Sequence, residues 1–320
     1  MHEVFICDNI KHPNTRFNNC PNLIDVKFGS LVESITDGMF AGCNNLRSID
    51  LPHSLVSIGE NAFANTPLES IEFHNQLKSI GYGAFRNTLI SDLTFPSSIQ
   101  DLGNYCFGDC SNLKRVVLPE NINIVPSDFF RNCHSLKEVH FQPGLKELSD
   151  QAFYGCHALS RLEMPSSLEI IGEDAFGNCV NLKSILLGPA LHNIGNRAFA
   201  DSDLDSIISL SANPPIIEDQ DCFNHFTYLN CKVEIPRGCY NSYSSSEVWK
   251  YFWEIKENDE LNSGIADICN PVLPEGIDYN SPYEVFSLNG IYVNNSYNNL
   301  PSGLYIVRQG VHRAKIIIHN

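Results

Sequence analysis

His157-Ala-Leu-Ser-Arg-Leu-Glu-Met-Pro-Ser-Ser-Leu-Glu-Ile-Ile-Gly-Glu-Asp-Ala-Phe-Gly-Asn-Cys179 returns in edited form along most of the chain. Its first leucine recurs as Leu23, Leu46, Leu68, Ile90, Leu113 and Leu136 upstream and as Leu182 and Leu204 downstream, in steps of 22 or 23 residues. The closing phenylalanine keeps the same beat, from Phe17, Phe40, Phe63, Phe85 and Phe107 through Phe130, Phe153, Phe176, Phe199 and Phe223. A fixed period in this range, with apolar residues at constant offsets, marks a solenoid in which each unit buries its apolar face only against its neighbours.

The unit itself predicts its local structure. In Leu46-Arg-Ser-Ile-Asp-Leu51 the alternation turns Ile49 and Leu51 inward and Ser48 and Asp50 outward, the pattern of a half-buried strand. Pro52, Pro96, Pro119 and Pro165 end these strands, because proline cannot donate to a continuing ladder. Pairs such as Leu55 and Ile58, or Leu168 and Ile171, supply a second inward-facing layer. The glycine that follows, at 59, 81, 103, 172 and 195, suits either a positive φ or a close backbone approach. Ala-Phe and a short helical turn then close the coil, with the phenylalanines stacked as a spine. The chain starts inside a degenerate unit, 1–19, where Asn14, Thr15, Arg16, Asn18 and Asn19 offer a polar end to the array.

Composition bounds the function. Lys plus Arg number 21 against 37 Asp plus Glu, a net charge of −16, which argues against nucleic acid or an anionic membrane as partner. No apolar run approaches the roughly 20 residues of a membrane helix. The first residues, Met1 to Cys7, lack the basic start and apolar stretch of a signal peptide, so the expectation is either a removed leader or a chain never exported.

Of the 12 cysteines, Cys20, Cys43, Cys110, Cys133, Cys156 and Cys179 share one position of the unit, with Thr66, Thr88 and Asp201 in the gaps. Such a column reads as buried free thiols filling a turn, one rung apart. Cys106 occupies the column of Ala62, Ala84, Ala152, Ala175 and Ala198, a small-residue substitution. Cys222, Cys231 and Cys239 fall outside the thiol column and are the better candidates for a bridge.

Leu-x-x-Ile-x-Leu-Pro, then Ser-Leu-x-x-Ile-Gly, then Ala-Phe-x-x-Cys resembles the BspA-like subclass of leucine-rich repeat proteins over about residues 13–223. The resemblance implies an α/β repeat, a right-handed leucine-rich-repeat solenoid with a parallel sheet on its concave face. It extends to Cys231-Lys-Val-Glu-Ile-Pro236 and the aromatics after it, similar to segments that close such arrays. Trp249, Phe252 and Trp253, at i, i+3 and i+4, predict one helix face covering the last rung.

The period stops near residue 256. The expected organisation is a degenerate repeat or cap at 1–19, the solenoid at 20–223, a cap at 224–255, a polar, Pro/Gly-marked linker at 256–280 and a small β-rich domain at 281–320. In the last, Tyr283-Glu-Val-Phe-Ser-Leu288 reads as a strand, Asn289-Gly290 as a hairpin turn, and Gly303–Arg308 pairs with His312–Ile318 around Gln309-Gly310. Phe286-Ser-Leu-Asn-Gly290 with Leu300-Pro-Ser-Gly-Leu-Tyr-Ile-Val307 resembles the C-terminal domain that directs Bacteroidetes proteins to secretion or surface attachment.

Catalytic signatures are missing: no Gly-x-Ser-x-Gly, no phosphate-binding Gly-rich loop with a following Lys, no His-Glu-x-x-His. His134 and His157, one repeat apart, can approach each other on a turn, but Asn44 and Ser111 fill that column elsewhere, so a solvated turn is the reading rather than a metal site. No catalytic residue, metal or cofactor is expected. The outward strand positions carry the functional expectation instead. One column holds Asp92, Arg115, Glu138 and Arg161, and the next Thr94, Val117, His140, Glu163, Leu186 and Ile208. Read plainly, they are a solvated sheet with alternating charge; read functionally, Arg115, Val117, His140, Arg161, Glu163 and Leu186 form a partner-binding patch that mixes apolar and charged groups. With the resemblance, this predicts a non-enzymatic, secreted or cell-surface adhesin-like protein that binds host matrix or cell-surface protein, or glycan. The alternative is a scaffold or accessory component of a bacterial surface complex with no external ligand.

Overall fold

The computed structural model describes residues 2–264 and the segments 284–287, 292–294, 303–309 and 312–318. Residues 2–264 wind as a parallel β-solenoid; the chain makes about 11 turns with repeats of about 23 residues. Three backbone ladders run along it. The front ladder carries many of the expected strands: Glu3–Ile6 pairs with Asp25–Phe28, and Arg115–Val117 pairs with Asp92–Thr94 on one side and Glu138–His140 on the other. Residues 46–51, expected as a strand, form none, although Ile49 and Leu51 are buried and Ser48 and Asp50 exposed as the alternation predicts. A five-stranded parallel sheet then runs from Arg161–Glu163 through Ser184–Leu187, Ser206–Ser209 and Lys232–Pro236 to Glu254–Asn258. The last of these strands continues past residue 256, into the stretch whose composition reads as linker.

The second inward-facing layer proves to be a sheet in its own right. Two-residue strands, Ser34–Ile35, Ser57–Ile58, Ser79–Ile80 and Asp101–Leu102, pair in parallel, and five more follow from Ile124–Val125 to Ile216–Ile217. Each points one residue out and one in, as Ser57 and Ile58 do.

The Ala-Phe segment closes the coil differently from the expected helical turn. Asn61 and Asn65 have φ of 53° and 58°, Tyr105 and Asp109 57° and 60°, so two left-handed residues four apart break any helical run. Asn and Asp tolerate this region better than other L-residues. The freed N–H groups bond across coils: Phe40 N–H donates to Ala62 O at 2.8 Å, Phe63 to Ala84 at 2.8 Å and Phe153 to Ala175 at 2.8 Å. Backbone hydrogen-bonding capacity is thereby met by the next coil instead of within a helix. The glycines before these segments do not have positive φ; they serve close approach, since a Cβ on Gly59 would lie 2.7 Å from Asp37 N.

Between the ladders, the phenylalanine spine stacks from Phe17 to Phe223 with ring centroids 5.2 to 6.1 Å apart. The widest step, Phe107 to Phe130, falls where Phe129 replaces the usual alanine and wedges edge-on against both rings.

All described cysteines are free, Cys222, Cys231 and Cys239 included, so the bridge suggested for those three is not made. Cys222 instead fills the alanine column, its carbonyl accepting from Phe199 N–H at 3.0 Å. In the thiol column the buried sulfurs donate to a spine carbonyl of the preceding coil, as Cys133 does to Phe107, Cys156 to Phe130 and Cys179 to Phe153, at 3.2 to 3.3 Å. Thr66 turns its hydroxyl to its own coil instead, donating to Phe63 O at 2.8 Å. Burial pushes the Cys133 and Cys156 thiols well above their ordinary range and Cys179 to about 12. These thiols should therefore resist iodoacetamide in the native protein and react fully after unfolding, because the thiolate is the nucleophile. Mass spectrometry of peptides from protein purified without reductant checks this; a disulfide between any two of Cys133, Cys156 and Cys179 contradicts the buried-thiol column.

The C-terminal end of the array closes on Trp249, not on a helix. Val248 to Phe252 make a single 3-10 turn, in which Trp249 is fully buried and Phe252 nearly so, both against Phe223 at the end of the spine. Trp249 Nε1–H donates to Pro215 O at 2.8 Å. Trp253, expected on the same apolar face, is 83% exposed. The i, i+3, i+4 spacing puts three residues on one side only if the helix continues, and here the chain turns extended at Phe252 to enter the strand Glu254–Asn258.

The final segments form an antiparallel sheet in the order Tyr292–Asn294, Glu284–Ser287, Gly303–Gln309, His312–Ile318. The predicted pairing of Gly303–Arg308 with His312–Ile318 is present; Asn289-Gly290 and Gln309-Gly310 as a turn lie outside the described residues or at their edge.

Candidate functional site

The outward positions of the front ladder stand side by side because the strands are parallel and in register. Arg115 is paired with Asp92 and Glu138, and Val117 with Thr94 and His140. Beyond a break in the sheet between His140 and Arg161, the column resumes with Glu163 beside Leu186 and Leu186 beside Ile208. The six candidate residues thus fall on two sheets, three on each.

Their exposure differs more than the alternation predicts. Arg115 is exposed, its Nε 3.3 Å from Asp92 Oδ1 in an ion pair between coils. Val117, His140 and Arg161 are half-buried. Leu186, flanked by Glu163 and Ile208, exposes only 5% of its surface, so it belongs to the floor of the face and not to its contact surface.

Glu163 is the unusual member. Arg161, two residues earlier on the same face, places Nε 3.3 Å from Oε1, yet that oxygen is sequestered from solvent and accepts no hydrogen bond. The pair has ion-pair distance without hydrogen-bond alignment. Burial pushes the Glu163 carboxyl above its ordinary value, and the positive charge of Arg161 only partly opposes it. A raised carboxyl pKa means that the folded protein holds the proton more tightly than the unfolded chain. The associated stability is complete below the ordinary glutamate range and is lost as pH rises through the folded value. Glu163→Gln, which keeps the shape and cannot ionise, should therefore melt higher than the parent at about pH 7 and lose that advantage near pH 4, around the ordinary glutamate value. Calorimetry at both pH values checks it, and an equal shift at the two would contradict the buried-carboxylate account.

His134 and His157 do meet, as the repeat spacing allowed, their rings stacked at 4.4 Å. His134 Nδ1 lies 2.9 Å from Gly155 O, and Asn178 Nδ2 lies 3.3 Å from His157 Nε2, so both rings are engaged by the turn. Among the described residues no group of three or more His, Cys, Asp or Glu is placed to hold a metal ion, and no helix is long and apolar enough to cross a membrane.

A family model described as the BspA type leucine-rich repeat region matches residues 10–134 and 101–230, in six copies. The chain belongs to this family. The BspA-type repeat thus accounts for the coils from the first full unit to the start of the closing segment. Solved structures of similar form include a leucine-rich repeat protein from Bacteroides ovatus, 23% identical, covering 81% of this chain and 84% of its own, with a TM-score of 0.42. A leucine-rich repeat protein of T. pallidum is 28% identical over 49% of this chain and 71% of its own, with a TM-score of 0.42. The pneumococcal vaccine antigen PcpA is 19% identical over 80% and 79%, with a TM-score of 0.41. No curated protein sequence matches the chain.

Proposed function

We propose that this BspA-type array is a non-enzymatic binding protein, secreted or held at the cell surface, that recognises a protein or glycan partner on its front strand face. The observation that carries the reading is the register of that face. Val117 and His140 lie directly side by side, Arg115 is adjacent, and Arg161 and Glu163 follow beyond the gap. Backbone ladders hold these groups in place before any partner arrives, so little ordering remains to oppose association. Half-buried apolar and aromatic groups ringed by arginines suit the centre of an interface. The net charge of −16 argues against nucleic acid as the partner.

The test is a binding screen of the purified chain against immobilised matrix proteins, cell-surface glycoproteins and polysaccharides. Saturable capture of one partner, reduced by Val117→Asp, supports recognition through this face. Absence of any capture, with the chain instead co-purifying with other surface proteins of its own cell, favours the scaffold alternative.

Surface delivery rests on the tail's resemblance to a sorting domain. Deleting residues 281–320 should leave the melting temperature of the array unchanged, because few contacts cross a polar linker. In the source cell the same deletion should retain the protein inside. Fractionation of cells and medium decides the second point, and unchanged delivery would remove the sorting role from the tail.

A further inference from the structure

We propose a second binding site, on the side ladder of the first coils, that takes an extended basic peptide segment of a partner protein. Here the structure forms a groove of 610 Å3 running across four coils. Its origin is legible residue by residue. Ser34, Ser57, Ser79 and Asp101 are the outward residues of four paired two-residue strands and form one wall. Asp37, Glu60 and Tyr82, each three residues beyond the serine of its coil, line the groove as a second column. Between the two columns Gly59, Gly81 and Gly103, on three successive coils, bring no side chain of their own, and only the Asp37 carboxylate reaches over Gly59. Those glycines are required by packing, since a Cβ on Gly103 would fall 2.3 Å from Tyr82 N. The trough is the consequence. It ends where Pro126 replaces glycine in the next coil.

Charge decides the occupant. Asp37, Glu60 and Asp101 form no ion pair among the described residues, whereas Glu33, Asp92, Glu169 and Asp174 on the same solenoid each meet a lysine or arginine. No Lys, Arg or His lines the groove; the nearest imidazole, His12, is engaged by Ser34 Oγ at 2.9 Å. Asp37 Oδ1 accepts the Glu60 N–H at 2.8 Å, but none of the three carboxylates meets a cation, which leaves a negative trough that repels anionic chains. Thr36, level with Gly59 at the first coil, closes that end of the glycine column; its Oγ1 is shielded from solvent and has no hydrogen-bond partner among the described residues. Three steps at the strand spacing of about 4.8 Å give a length of about 14 Å, room for about four residues of extended chain at about 3.3 Å each. In such a chain successive side chains point to opposite sides, so lysines or arginines at neighbouring positions reach the acids of both columns, and the Ser57 and Ser79 hydroxyls and the Tyr82 ring, 47% exposed, meet the backbone and side-chain stems.

The experiment uses the full chain and a fluorescein-labelled octapeptide of alternating lysine and threonine, with alternating glutamate and threonine as the anionic counterpart and cellohexaose as a neutral glycan. Fluorescence anisotropy at low salt should show saturable binding of the basic peptide alone. Glu60→Lys with Asp101→Lys should weaken it at least tenfold, and Ser57→Phe, which fills the trough from the outward column without touching the core, should weaken it comparably. Glu120→Lys with Glu247→Lys, an equal charge change at exposed positions elsewhere, should leave it within twofold. Equal loss in both double variants would reduce the effect to net charge and overturn the site. No binding, or preferential binding of cellohexaose that Ser57→Phe abolishes, would overturn the basic-peptide assignment.

Discussion

Phe153→Ala is expected to destabilise the array by about 3–5 kcal/mol, the range for truncating a buried aromatic. The ring is fully buried, 5.3 Å from Phe130 on one side and 5.3 Å from Phe176 on the other, with Phe141 edge-on at 5.9 Å. Neighbouring side chains cannot collapse far into the space, because the side ladder and the Ala-Phe bonds fix adjacent coils to one another even where the front sheet breaks between His140 and Arg161. The loss is also local in kind. A solenoid's stability is close to a sum of units and nearest-neighbour contacts, so the defect should weaken the coils around residues 136–182 first. Urea unfolding followed by hydrogen exchange checks both magnitude and place. Arg115→Ala, on the outward face of the same array, should shift stability by less than about 0.5 kcal/mol. If the two variants unfold at one midpoint, the inward and outward columns have been exchanged.

Trp249→Ala should be nearly as severe, again about 3–5 kcal/mol, and Trp253→Ala nearly silent, within about 0.5 kcal/mol. Trp249 seals the open face of Phe223, touches Phe252 and Tyr243, and satisfies the Pro215 carbonyl with its indole N–H. Its removal exposes the last layer of the core and leaves that carbonyl unmet, two effects that add. Trp253 has only solvent around most of its ring. Thermal melts of the two single variants separate the roles, and comparable losses from both would restore the helix-face cap.

The contrast between these tryptophans shows where sequence stops. The period made the spine legible, because Phe17 to Phe223 recur at intervals that only stacked coils can satisfy. The cysteine column was legible for the same reason, and the structure adds how threonine fits there: Thr66 donates to Phe63 O of its own coil, and Thr88 Oγ1 lies 3.3 Å from Cys110 Sγ. The side ladder was hidden. Ser57-Ile58 is two residues long, too short to show alternation, and its strand character comes from register with Ser79-Ile80 one coil away. The closing turns were misjudged because the recurring Asn and Asp at their left-handed positions, Asn61, Asn65 and Asp109 among them, were not weighed against the helical pattern, and Tyr105 carries no such signal. The helix-face pattern at 249–253 failed since apolar spacing alone cannot say where a helix stops.

On the candidate face, alternation placed Arg115, Val117, His140 and Arg161 outward, with at least part of each side chain reaching solvent. It could not show that Leu186 is covered or that Glu163 is sequestered, since both depend on neighbours 22 or 23 residues away along the chain. The groove's trace in the sequence is glycine at three consecutive coils, Gly59, Gly81 and Gly103, flanked by Ser57 and Ser79 and by Glu60 and Asp101.

The central claim is that the front face recognises a partner through side chains fixed by the coil register. Its most direct measurement is the affinity of the captured partner for the triple variant Arg115→Ala, His140→Ala, Arg161→Ala, compared with the parent by surface plasmon resonance after circular dichroism shows both folded. The account predicts at least a tenfold weakening, and unchanged affinity in the folded triple variant would contradict it.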